Sequence, residues 1–104
     1  SYEVEIVPDL RPVFDVLMND ADLSEAYREA AAEIVGKENA TITKELVTGS
    51  EDFADMLKAV PGAYCTLGHK GSIPVHNPGF ILDDDMLPVG ASIMARIVEK
   101  RLPL

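Results

Sequence analysis

The sequence contains one cysteine and half as many basic as acidic residues, and each of these two shortages excludes a class of protein. The single cysteine, Cys65, cannot form an internal disulfide framework, so we expect a cytoplasmic protein. Nine Lys and Arg against eighteen Asp and Glu give a formal net charge of −9. Such a surface repels phosphate backbones and anionic membranes, so neither nucleic acid nor a membrane is an expected partner. No apolar run approaches the roughly 20 residues that span a bilayer.

Apolar residues make up 47% and charged residues 26% of the 104 residues, which is typical of a globular domain or part of one. A chain of about 100 residues can form only a modest core, because it buries roughly 60–70% of its unfolded surface. The chain begins with Ser1 instead of methionine and carries no signal-peptide pattern. We therefore expect it to be a piece of a longer protein.

The spacing of apolar residues indicates both kinds of regular structure. Residues 2–7 and 41–47 alternate apolar with polar side chains, and 63–67 form a short apolar run beside glycines, which predicts three strands. Apolar residues recur at helical spacing over about 20–35, 50–60 and 84–102, which predicts three helices. The order strand, helix, strand, helix, strand, helix predicts an α/β fold, with three helices packed on a short mixed sheet.

Short polar residues and glycines mark the ends of the predicted helices. Asp20 or Asp22 can cap the first helix, and Gly36 lies where a left-handed residue would end it. Ser50 lies where a side-chain cap would begin the second helix.

His76 lies in the sequence VHNPGF at residues 75–80, within a stretch rich in glycine and proline. Because proline disfavours a helical conformation before it, we expect an extended backbone that presents the imidazole to a metal ion or a substrate. A surface histidine in an ordinary turn explains the same residues, and the local sequence alone favours this interpretation. The other histidine, His69, lies among glycines and a lysine, and we expect it to be exposed.

Residues Gly49, Ser50 and Glu51 precede the second predicted helix. The free N–H groups of a helix start can bind an anion such as a carboxylate. However, Glu51 and its acidic neighbour oppose an anion there, so ordinary capping is the favoured local interpretation.

The sequence does not predict a self-contained metal site. A catalytic zinc site takes three protein ligands, and the chain offers two histidines, one cysteine and carboxylates such as those at 83–85, without HxH, HxxxH or CxxC spacing. Cys65 lies in an apolar run, where we expect a protonated and unreactive thiol.

Five motifs occur in an order that resembles a known family: GSEDF at 49–53, VPGAY at 60–64, LG at 67–68, VHNPGF at 75–80 and DMLPVGA at 85–91. Together they resemble the C-terminal part of the hippurate hydrolase, N-acyl-amino-acid amidohydrolase and auxin-conjugate hydrolase family. The resemblance covers about residues 19–102. It implies a fragment of a zinc-peptidase-like catalytic domain.

The resemblance implies roles for individual residues. The histidine of the His-x-Pro motif is the last metal ligand of that family, and it corresponds to His76. Gly49, Ser50 and Glu51 would border the substrate cleft. Residues 1–18 would return from a lid or dimerisation domain, and residues 19–104 would be the C-terminal segment of the catalytic domain. The remaining metal ligands and the general-base glutamate would lie in an N-terminal half that this chain lacks.

The implied enzyme carries two divalent ions (Zn, Mn or Co) and cleaves the amide bond of N-acyl amino acids, hippurate-like ones among them, or of short peptides. By itself the fragment is expected to be inactive, to bind no stoichiometric metal and to self-associate through the face that its missing half would cover. Two alternatives remain from the residues alone. One is a small acidic α/β module whose His-Asn-Pro loop binds a partner protein, without a catalytic role. The other is an autonomous protein with one metal ion.

Overall fold

A computed structural model of the chain describes residues 3–9, 11, 13–43, 45–68, 70–71 and 73–102. Three α-helices form in this part: α1 spans Ala21–Val35, α2 spans Phe53–Ala59 and α3 spans Met86–Arg101. A short 3-10 helix, Lys37–Asn39, follows α1. The three predicted helices are confirmed, although α2 begins three residues later than expected. No helix in the described part is long and apolar enough to cross a membrane.

The described residues contain no β-strand, so the predicted α/β fold with a short mixed sheet is wrong. The physical reason is that an alternating sequence makes a strand only when a neighbouring strand supplies its backbone hydrogen bonds. The three predicted segments find no such neighbour within the described residues, and the side chains of Val4 and Ile6 are 74% and 84% exposed. Tyr2 and Lys44, which belong to two of these segments, lie outside the described residues.

Local hydrogen bonds explain the bounds of α1. The Asp20 carboxylate accepts a hydrogen bond from the backbone N–H of Leu23 at 2.9 Å, so Asp20, and not Asp22, is the N-cap. At the other end Gly36 has φ +88°, and its N–H donates to the carbonyl of Ala32 at 3.0 Å. A glycine with positive φ ends α1 as predicted, although its ψ of 151° lies outside the left-handed helical region.

The small core lies between α1 and α3. Ala30 on α1 is 1% exposed and Ile93 on α3 is 4% exposed, while Ala40 and Ala54 are the other buried apolar residues of the described part. At the surface, the Glu33 carboxylate accepts hydrogen bonds from Arg96 and, at 2.6 Å, from Lys100. These contacts join the two long helices.

Most of the apolar side chains remain accessible to solvent. The radius of gyration is 18.6 Å, whereas a compact chain of this length has about 13 Å. Many large apolar side chains are more than half exposed, including Val16 (74%), Leu46 (97%) and Ile81 (80%). Much of the apolar surface of the described residues is therefore not covered by the chain itself.

Candidate functional site

His76 lies at the third position of a β-turn. The N–H of Asn77 donates to the carbonyl of Pro74 at 3.3 Å, and His76 has φ +69°. A positive φ at this position is the requirement of a type II turn, and histidine adopts it more readily than most residues. The expected extended backbone at His76 is therefore wrong, because the proline restricts its direct neighbour Asn77 and leaves His76 free to turn.

A second turn follows at once and fixes the first. The N–H of Phe80 donates to the carbonyl of Asn77 at 2.9 Å, and the Asn77 side chain accepts from the N–H of Gly79 at 2.9 Å. Gly79 lies close to Ile73, whose Cδ1 would be 3.4 Å from an added Cβ. The imidazole of His76 is exposed on the outside of this double turn. An imidazole exposed on a hydrogen-bonded turn is accessible to a metal ion or substrate that is held by another part of a protein.

The segment from Gly49 to Glu51 leads into α2, and its three residues have different surroundings. Ser50 is exposed, and it is not the N-cap that its sequence position predicts, since α2 begins at Phe53 after Asp52. Around Gly49 there is open space, because an added Cβ would meet only Val47 Cγ1, at 3.8 Å. The segment is thus accessible at its first two residues.

Glu51 is half-buried and makes the capping contact instead. Its carboxylate accepts a hydrogen bond from the backbone N–H of Phe53 at 3.2 Å. This bond, and after it the interaction with the Tyr64 hydroxyl, lowers the pKa of Glu51. The Glu51 carboxylate in turn raises the pKa of Tyr64. The geometry therefore favours the capping interpretation for the Glu51 side chain.

Tyr64 is held in turn by Asn19, a contact that the sequence did not predict. The Asn19 amide donates to the backbone carbonyl of Tyr64 and accepts from its N–H, both at 2.8 Å. The neighbouring N–H of Asp20 donates to the carbonyl of Gly62 at 2.9 Å. Because these partners are 45 residues apart and follow no period, no sequence signal could have paired them.

The two candidate regions remain separate in the described part of the chain, where no hydrogen bond joins the His76 turn to residues 49–51. Two grooves lie elsewhere. One, of about 410 Å³, runs between α1, α3 and residues 61–63, and another, of about 320 Å³, lies beside α2. Neither is lined by His76 or by Gly49, Ser50 and Glu51.

The described residues do not by themselves fit a metal ion. They contain no group of three or more His, Cys, Asp and Glu side chains close enough to share one. His76 offers one exposed imidazole, which is a good donor for a divalent ion but only one of the ligands that such a site requires. His69 lies outside the described residues.

Cys65 is exposed, which corrects the expectation of a thiol buried in a strand. Tyr27 lies beside it, and burial together with a hydrogen bond to Cys65 raises the pKa of Tyr27 to about 12. The Tyr27 hydroxyl also contacts the sulfur of Met94 at 3.8 Å, across the interface of α1 and α3. These contacts belong to the packing of the helices.

Comparison with known proteins identifies relatives along nearly the whole chain. Residues 1–100 match peptidase family M20/M25/M40. An IAA-amino acid hydrolase of Arabidopsis thaliana is 30% identical over 95% of the chain and 23% of the relative. A hippurate hydrolase of Campylobacter jejuni is 28% identical over 96% of the chain and 26% of the relative. An N-acetylcysteine deacetylase of Bacillus subtilis is 33% identical over 83% of the chain and 22% of the relative.

The chain thus spans about a quarter of the length of these relatives. No solved structure matches it.

Proposed function

The chain belongs to peptidase family M20/M25/M40, and we propose that it forms the C-terminal segment of the catalytic domain of a metal-dependent amidohydrolase. Its substrates would be N-acyl amino acids, hippurate-like ones among them, or short peptides. The observation that carries this proposal is the family match over residues 1–100, which leaves only four residues outside it. The names of the relatives, a hydrolase of IAA-amino acids, a hippurate hydrolase and a deacetylase, support the substrate class.

In this proposal residues 1–18 return from a lid or dimerisation domain, and residues 19–104 complete the catalytic domain. The chain would be inactive alone, because the described residues bring together too few donors for a metal site. Its essential partner would be the N-terminal half of the catalytic domain. The exposed apolar side chains and the unpaired strand-like segments support such a partner. Further polypeptide would cover the apolar side chains and would supply the missing backbone hydrogen bonds.

His76 would supply one imidazole nitrogen to one of two divalent ions, Zn, Mn or Co. Such ions, when bound, polarise the scissile carbonyl and lower the pKa of a bound water. The exposed ring on a fixed double turn supports this role, because a donor on an ordered backbone loses little freedom on binding. The second ring nitrogen would need a hydrogen-bond acceptor outside the described contacts of this turn to fix its tautomer. Gly49, Ser50 and Glu51 would border the substrate cleft.

The decisive variant is His76→Asn in the full-length protein that contains this chain. Asparagine tolerates the positive φ of residue 76, so the turn is preserved while the imidazole is lost. We expect metal affinity to fall at least about 100-fold, since even residues that only support a ligand cost 10- to 100-fold when changed. Hydrolysis of a panel of N-acyl amino acids should fall in parallel. His69→Asn, the matched change at the other histidine, should retain both.

Metal titration by calorimetry and a hydrolysis assay measure these effects. Unchanged metal affinity in the His76→Asn protein would refute the ligand role. Absence of amide hydrolysis in the metal-loaded parent protein, across the whole panel, would refute the activity.

We also propose that the chain self-associates and that the protein is cytoplasmic. The exposed apolar residues support self-association, and the single exposed Cys65 is compatible with a reducing compartment. The family match does not favour the alternative of an acidic interaction module, and no sheet of the kind that this alternative assumed forms among the described residues.

A further inference from the structure

Tyr64 connects three parts of the chain that are distant in sequence. Its backbone N–H and C=O are both bonded by the Asn19 side chain at 2.8 Å, so the Asn19 amide acts as a peptide group of a neighbouring strand would. Its ring lies against that of Phe53, with ring centres 5.6 Å apart and planes inclined by 44°. The Glu51 carboxylate raises the pKa of the Tyr64 hydroxyl. The position of Tyr64 therefore depends on Asn19.

Glu51 is the next member of the same chain of contacts. Its carboxylate accepts a hydrogen bond from the N–H of Phe53 at 3.2 Å, and the Tyr64 ring packs on the ring of Phe53. The backbone carbonyl of Glu51 also accepts the N–H of Ala54 at 3.3 Å, and Ala54 is buried with 2% exposure. The end of the Gly49–Glu51 segment is thus tied to α2 and to Tyr64, while Gly49 and Ser50 are exposed.

We propose that Asn19 is a positioning residue for the Gly49–Glu51 segment, which it holds through Tyr64 and Phe53 without touching it. Glu51 then anchors the segment, and the Ser50 hydroxyl and the Gly49 backbone are the groups left to meet the substrate. The inference rests on the proposed function in one respect, that this segment borders the substrate cleft. The contacts from Asn19 to Glu51 are independent of that function.

The first test follows the Glu51 carboxyl in the isolated chain by pH titration with carbon-13 NMR. Tyr64→Phe removes the hydroxyl donor and should raise the pKa of Glu51 toward its ordinary value. Asn19→Ala should raise it as well, although Asn19 does not contact Glu51. Asn39→Ala is the matched control, because Asn39 makes a similar side-chain bond to the Val35 carbonyl at 2.8 Å and should leave Glu51 unchanged.

If Asn19→Ala loses its helical circular dichroism, Asn19→Ser provides the second variant, since a hydroxyl keeps one polar contact without adding charge. The expected result is the same rise for Asn19→Ser. A Glu51 titration that responds to Tyr64→Phe but not to either Asn19 variant would overturn the inference. A titration that responds to neither change would overturn it too, because Tyr64 would then not hold Glu51.

The second test separates this inference from the proposed function. In the full-length enzyme, Asn19→Ala removes both bonds to Tyr64 and should raise KM for an N-acyl amino acid about five- to tenfold, with a smaller change in kcat. Its metal affinity should stay that of the parent, in contrast to His76→Asn. An unchanged KM would overturn the positioning role while the His76 result stands. Unchanged metal affinity in both variants, His76→Asn included, would instead count against the proposed function.

Discussion

Replacing Ile93 by alanine tests whether α1 and α3 form the main core of the described residues. Ile93 is 4% exposed, and the other buried apolar residues of the described part are the alanines Ala30, Ala40 and Ala54. Removing a buried isoleucine side chain costs about 2–5 kcal/mol. We expect the lower part of that range, about 2–3 kcal/mol, because the surrounding core is thin and can relax.

Urea denaturation followed by circular dichroism measures this loss. With a denaturant dependence of about 1.5 kcal/mol per molar urea, the midpoint should fall by roughly 1.3–2 M. Val98→Ala is the matched control, since Val98 also lies on α3 and is 57% exposed. It should cost less than about 0.5 kcal/mol. Equal midpoints for the two variants would refute the assignment of the core to the α1–α3 interface.

Two further predictions concern the surface. The basic partners of Glu33 on α3 hold the pKa of its carboxyl below the usual value of 4.5, first Lys100 and then Arg96. The stabilisation is therefore present above pH 4.5 and is lost as pH falls through the lowered folded value, so Glu33→Gln should reduce the melting temperature at pH 7 but not at strongly acid pH. Glu29→Gln is the control, because it leaves the contacts of Glu33 with Lys100 and Arg96 in place. A difference in melting temperature between the parent and Glu33→Gln that does not depend on pH would contradict the reasoning. Light scattering of the isolated chain should show particles larger than a monomer at high concentration, and a clean monomer would refute self-association.

The helices were predictable because their signals are local. Asp20 and Gly36 terminate α1 through hydrogen bonds within the helix itself. An apolar stripe can be recognised in the sequence without knowing which element it packs against. The start of α2 was misplaced because Ser50 and Asp52 both suit a cap, whereas in the structure the Glu51 carboxylate accepts the N–H of Phe53 and the helix begins there. Several short polar residues in a row offer competing local hydrogen bonds, and the sequence alone does not choose between them.

The predicted strands failed for a different physical reason. Alternation describes which face of a segment is apolar, but pairing depends on a second strand that the described residues do not supply. The candidate site shows the same limit. Its residue types and motifs were visible in the sequence, whereas the left-handed turn at His76 and the bond from Asn19 to Tyr64 arise from backbone geometry and from residues far apart in the chain.

The extended segments have a consequence for amide hydrogen exchange. Backbone N–H groups of residues 3–7, 41–43 and 45–47 donate no hydrogen bond among the described residues, whereas those inside α1 and α3 are paired. Deuterium should therefore enter the extended segments at nearly the rate of a free peptide and enter the long helices slowly. If the chain completes a catalytic domain as proposed, pairing with the remaining polypeptide should slow exchange in those segments. The rate at these amides would then report assembly of the complete domain, even before any substrate is turned over.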